Sequence, residues 1–215
     1  MTQEIKIKVN DKITIIGNLD MAEKSKGLVI FAHGSGSSRF STRNRYSAAL
    51  LKDVHLSTLL IDLLTTDEEA IDLLTREYRF DIELLAQRVI AATNWVLSND
   101  STKAMPIGYF GASTGAAAAL VAAAELPNFI KAFVSRGGRP DLAGNKLQKV
   151  KAPVLLIVGG EDQEVIEINK LAAEHISAEK EIYIVPGAAH LFEEADTLRI
   201  ASSKAAEWYL QHLNK

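Results

Sequence analysis

The stretch Met105-Pro106-Ile107-Gly108-Tyr109-Phe110-Gly111-Ala112-Ser113-Thr114-Gly115, running on into the alanine-rich residues 116–124, decides how this chain is read. Residues 105–110 read as a short buried strand and the alanine run as a strong helix former. Between them stands Gly-x-Ser-x-Gly, Gly111 to Gly115. A serine on such a strand-to-helix turn has its hydroxyl pushed above the sheet edge, and the flanking glycines permit the close backbone approach that the turn demands. The bland alternative is a phosphate-binding turn at a helix N-terminus. Against it, no Gly-Lys-Ser/Thr follows as in a Walker A loop, and Gly-x-Gly-x-x-Gly is absent.

Working outward, short apolar runs alternate with helical patterns over the whole chain. Residues 4–9 and 13–19 alternate about an Asn10-Asp11 turn and predict an antiparallel hairpin. Further strands are expected at 27–32, 57–64, 105–110, 130–135, 153–158 and 181–185, with helices at 43–52, 82–97, 116–124 and 193–213. Strands alternating with helices mean a largely parallel sheet, here of eight strands, covered on both faces. In such sheets reactive groups collect beyond the carboxyl ends of the strands.

The 215 residues suit one domain, 1–215, and the composition (47% hydrophobic, 24% charged, net charge −3) recruits neither nucleic acid nor an anionic membrane. The absence of cysteine excludes disulfides, thiolate metal sites and a Cys nucleophile. There is no basic segment followed by an apolar stretch near Met1 and no apolar run of ~20 residues, so a cytoplasmic protein is expected.

Serine needs a base, and the base an orienting acid; in the α/β-hydrolase arrangement, which the Gly-x-Ser-x-Gly turn resembles, they arrive in the chain order Ser, Asp or Glu, His. His33 and His55 precede Ser113, His175 falls within a helical pattern and His212 lies near the C-terminus. His190, in the Gly187-Ala188-Ala189-His190 loop after the last strand, is left as the base. The acid chosen is Asp162, in Gly159-Gly160-Glu161-Asp162 after the strand 153–158, with helix capping as its structural alternative and Asp141 as its rival. The oxyanion donors expected are the backbone amides of Thr114 and of Ser35, the latter in His33-Gly34-Ser35-Gly36. His33 is expected to hold that loop by hydrogen bonding.

In this order of motifs the chain resembles the α/β-hydrolase superfamily along nearly its full length. The segments Phe31-Ala32-His33-Gly34-Ser35-Gly36-Ser37-Ser38 and Ser135-Arg136-Gly137-Gly138-Arg139-Pro140-Asp141 make it most similar to the compact dienelactone-hydrolase-like members. The resemblance implies an α/β-hydrolase fold and ester cleavage through an acyl-enzyme on Ser113, with no metal or organic cofactor. Dienelactone hydrolases proper use cysteine where this chain has Ser113, so generic ester hydrolysis is carried over rather than dienelactone itself. Thioester or amide hydrolysis, acyl transfer and a non-catalytic ligand-binding role stay open beside it.

Only residues 136–152 separate the sixth and seventh strands, too few for a large lid domain, so an open site for small esters is expected. The polar stretch 65–79 reads as a solvated connection in preference to a flap. Arg39 and Arg136 lie at carboxyl-end loops and are candidates for binding an anionic substrate group. The expected partner is a small-molecule ester, with neither nucleic acid nor membrane, and a homodimer is left open.

Overall fold

The computed structural model describes residues 2–213. Eight strands form one sheet: β1 (Thr2–Lys8), β2 (Thr14–Asp20), β3 (Leu28–Ala32), β4 (Ser57–Ile61), β5 (Ile107–Ala112), β6 (Ile130–Arg136), β7 (Val154–Gly159) and β8 (Lys180–Val185). Their order is β1-β2-β4-β3-β5-β6-β7-β8. β1 and β2 form the expected hairpin, β2 pairs antiparallel with β4, and every pairing from β4 to β8 is parallel. The sheet is that of an α/β-hydrolase.

The helices are α1 (Thr42–Asp53), α2 (Thr66–Thr75), α3 (Ile82–Ser98), α4 (Thr114–Glu125), α5 (Gln163–Glu174) and α6 (Thr197–His212), with an irregular 3-10 segment at Pro140–Lys149. One core joins α3, α4, α5 and the 3-10 segment to one face of the sheet, and a second joins α1 and α6 to the other. The alanine richness of α4 has a packing cause. Every residue from Thr114 to Ala124 is buried, because the helix is enclosed by the sheet, α3 and the 3-10 segment. Small side chains on all faces let these neighbours close in.

The topology places a site. From β3 the chain crosses to β4 on one side, then returns to β5 on the other, so the loops after β3 and β5 diverge over adjacent strand ends. A crevice at such a reversal is where open α/β sheets bind ligands. The 3-10 segment between β6 and β7 packs on α4 and α5, whereas α2 borders the crevice, its Glu69, Asp72 and Leu73 lining a pocket with Gly34, Ser35 and Thr114.

Three local readings need adjustment. β4 stops at Ile61, short of the expected Leu64, because the Leu63 N–H turns out of the ladder to donate to His33 Nε2 at 3.1 Å. The final helix begins at Thr197 rather than Glu193, since Phe192 and Asp196 both hold positive φ. The polar stretch 65–79 folds as α2, started by a capping box between Thr65 and Glu68. It is pinned at its end where the buried Asp72 carboxylate accepts from the amides of Tyr78 and Arg79, both at 2.9 Å, and from Arg79 Nε at 2.8 Å.

The elbow depends on one close contact. A Cβ on Gly115 would lie 2.3 Å from the His33 carbonyl oxygen and 2.5 Å from that of Ala32, both fixed in or beside β3. A Cβ on Gly36 meets nothing within 4 Å, although its φ is +67°. Gly115→Ala should therefore lose about 3 kcal/mol of stability or more by forcing backbone apart, and Gly36→Ala only about 1 kcal/mol from its left-handed φ. Urea unfolding of both variants checks this; equal losses would contradict it.

Candidate active site

Ser113 follows β5 directly and holds φ 50°, ψ −125°, a conformation that costs a non-glycine residue on the order of 1–3 kcal/mol. The turn is held from both sides. The Ser113 carbonyl accepts from the amides of Ala116 and Arg139, each at 3.1 Å, and Gly111 lies so close to Ala116 that a Cβ would meet its Cα at 2.3 Å. Ser113 occupies the N-cap position of α4, yet its hydroxyl makes no capping hydrogen bond. It faces instead a cleft of about 170 Å³ that His190, Gly34 and Arg136 also line.

His190 Nδ1 lies 2.7 Å from Asp162 Oδ2. Asp162 stands at the N-cap of α5, but its side chain does not cap that helix. The histidine loop and the acid loop are laced by backbone: Gly160 N–H donates to Val185 O at 2.8 Å and Glu161 N–H to Ala188 O at 2.9 Å. The rival Asp141 is held in a two-pronged pair with Arg139, at 2.9 and 2.7 Å. With Nδ1–H donated to the carboxylate, His190 Nε2 keeps its lone pair.

Ser35 and Thr114 come together, though not as two free donors. The Ser35 amide donates to Thr114 Oγ1 at 3.0 Å, and the two hydroxyls are 2.9 Å apart. The Thr114 amide is the first of α4 and has no carbonyl one turn earlier in the helix to accept it. His33 shows the expected loop-holding bonds: its Nδ1–H donates to Gly34 O at 2.8 Å while Nε2 accepts from Leu63.

The two selected arginines part company. Arg39 does not line the cleft with Ser113; it is turned toward the sheet edge, where it pairs with Asp62 and donates to Glu4 Oε2 at 2.9 Å and Asn18 Oδ1 at 3.2 Å. Two carboxylates and an amide oxygen already engage this guanidinium. Arg136 does line the cleft. It is 6% exposed and donates to neutral groups, Asn44 Oδ1 at 2.9 Å and Ser47 Oγ at 3.3 Å. Burial, reinforced by the charge of Arg43, pulls its pKa down to about 9, which leaves it cationic at neutral pH.

Residues 62–213 match the model of the dienelactone hydrolase family. The chain belongs to that family. Among solved structures, a dienelactone hydrolase from Anabaena variabilis ATCC 29413 is 52% identical with a TM-score of 0.97, over 99% of this chain and 98% of that one. Est1E of Butyrivibrio proteoclasticus shares the fold at 17% identity and TM-score 0.80, over 97% and 98% of the two chains. Two Mycobacterium tuberculosis proteins (strains CDC 1551 and H37Rv) with the provisional name phosphoribosyl transferase are 51% identical over 211 residues, which are 98% of this chain and 46% of theirs. The chain thus spans about half the length of those curated relatives.

Within this dienelactone hydrolase family member, sequence reading missed Asn44 and Ser41, which line the cleft from the start of α1. Their only sequence signal is a helix cap, Ser41, whose hydroxyl accepts from the Asn44 amide at 3.3 Å. The loop-holding role of His33 has a pH signature. Burial lowers its pKa below the ordinary 6.5, so the unfolded chain takes up this proton first and stability is lost as pH falls below about 6.5. The stability lost between about pH 7.5 and 5.5 should be larger in wild type than in His33→Gln; equal losses in urea titrations would contradict the buried neutral histidine.

Proposed function

We propose that the protein hydrolyses small carboxylic esters through an acyl-enzyme on Ser113. The observation that carries this reading is a strained serine sharing one cleft with a histidine whose Nδ1 is 2.7 Å from a carboxylate, the three groups coming from three separate strand ends. His190 Nε2 takes the Ser113 proton as Oγ attacks the ester carbonyl. Asp162 holds the imidazole tautomer and stabilises its cation. The developing oxyanion is met by the Thr114 amide, and by the Ser35 amide once the substrate oxygen replaces Thr114 Oγ1 as its acceptor. His190 returns the proton to the leaving alcohol, then activates a water that releases the acid and restores Ser113.

With no large lid domain inserted between β6 and β7, the crevice suits small or exposed esters. The phosphoribosyl transferase name of the mycobacterial relatives attaches to proteins about twice this length, of which this chain matches 46%. The hydrolase reading rests on residues 62–213 of this chain, which match the family model.

With p-nitrophenyl acetate as probe, Ser113→Ala and His190→Ala should each lose at least about 10³-fold in kcat, and Asp162→Asn roughly 10³–10⁴-fold, with folding unchanged by circular dichroism. Turnover that survives Ser113→Ala would overturn the reading. Asp141→Asn, which removes the rival acid, should keep activity within about threefold, because its partner Arg139 remains solvated.

A further inference from the structure

Arg136 is costly where it stands. Removing a guanidinium from water is strongly unfavourable unless a counter-charge or a full set of hydrogen bonds compensates. Its described acceptors are an amide oxygen and a hydroxyl, and its other neighbour is the Phe110 ring, with Cζ 5.5 Å from the centroid. The arrangement is built rather than incidental. Ser47 Oγ sits 2.8 Å from Ser202 Oγ of α6, so α1, α6 and β6 together aim the guanidinium. Strand register places Arg136 opposite Ala112, one residue before Ser113.

The rest of the cleft has the same sign. Arg43 lines it too, at the start of α1, and its partner is an exposed glutamate, Glu193 Oε1 at 3.2 Å, a contact of little worth in water. The first turn of α1 carries Ser41, Arg43 and Asn44 into the cleft, adding the positive end of a helix dipole. Among the described residues, none lining this cleft is Asp or Glu.

We propose that the ester cleaved at Ser113 carries a phosphate monoester group, held between Arg136, Arg43 and the first turn of α1. This inference rests on the hydrolase reading of the same cleft. Two guanidiniums and a helix N-terminus exceed one positive charge, and a phosphate monoester brings close to two negative charges at neutral pH. Its tetrahedral oxygens can take N–H groups converging from β6 and α1, whereas a carboxylate offers one charge and one plane. The product is then a phosphorylated alcohol or acid, with the phosphate itself left intact.

The test uses three acetate esters on the whole protein: 2-acetoxyethyl phosphate, 3-acetoxypropanoate and 2-methoxyethyl acetate. The phosphate ester should exceed the neutral one in kcat/KM by at least about tenfold. Inorganic phosphate should compete with it and raise the Tm. Arg43→Ala, a change on a partly exposed side chain, and Arg136→Met should each shrink that preference and weaken inhibition by phosphate. An equal or greater preference for the carboxylate ester overturns the phosphate assignment. Turnover of all three at similar rates, without phosphate inhibition, overturns the anion site and leaves the hydrolase reading standing. A phosphate-raised Tm that Arg43→Ala abolishes, with no ester turned over, supports the anion site and overturns the hydrolase reading.

Discussion

Ser113 can hold φ 50°, ψ −125° only because its surroundings leave it no alternative. Gly115 is wedged against the carbonyls of Ala32 and His33, Gly111 is pressed on Ala116, and the Ser113 carbonyl is tied to two amides. A strain of order 1–3 kcal/mol persists when packing over-determines the backbone in this way. The result is a hydroxyl that lines the cleft and makes no capping bond to its own helix. If the turn relaxed into an ordinary helix N-cap, the same serine would bond its own backbone instead of lining the cleft.

The remaining groups reach this serine through strand ends rather than through long side chains. β3 supplies the Gly34–Ser35 loop beside it, β6 brings Arg136, and β7 and β8 bring Asp162 and His190. The last two are positioned by backbone: a Cβ on Gly159 would lie 2.4 Å from Ala188 O, so the acid and histidine loops are in direct contact. The imidazole and the carboxylate therefore keep their separation without a covering domain. An exposed histidine, 41% accessible at its side chain, is compatible with that rigidity because the loop under it is fixed.

Much of this was legible in local sequence. Gly-x-Ser-x-Gly, Gly-Gly-Glu-Asp and Gly-Ala-Ala-His each combine a strand end with residues that permit a tight loop, so their order along the chain carried the fold and brought Ser113, Asp162 and His190 into view. The arginines show where that reading stops. Arg39 and Arg136 both belong to the carboxyl-end loops of the sequence reading, but one meets Asp62 and Glu4 across the sheet edge and the other is enclosed among Asn44, Ser47 and Phe110. Those partners lie up to 92 positions away, and no local pattern encodes them. The bond from the Ser35 amide to the Thr114 hydroxyl, spanning 79 positions, was hidden for the same reason. α2 was obscured differently: its capping box was present in Thr65 and Glu68, but its exposed apolar residues Leu73 and Leu74 gave no clean helical face.

The most direct measurement is labelling of the folded protein with a fluorophosphonate, followed by location of the adduct by peptide mass spectrometry. The account predicts a single adduct on Ser113 that disappears in Ser113→Ala and in His190→Ala, since only a serine with a base in place attacks the phosphorus at a useful rate. An unlabelled wild-type protein, or an adduct that persists in His190→Ala at the wild-type rate, would contradict the claim that this elbow presents an activated nucleophile.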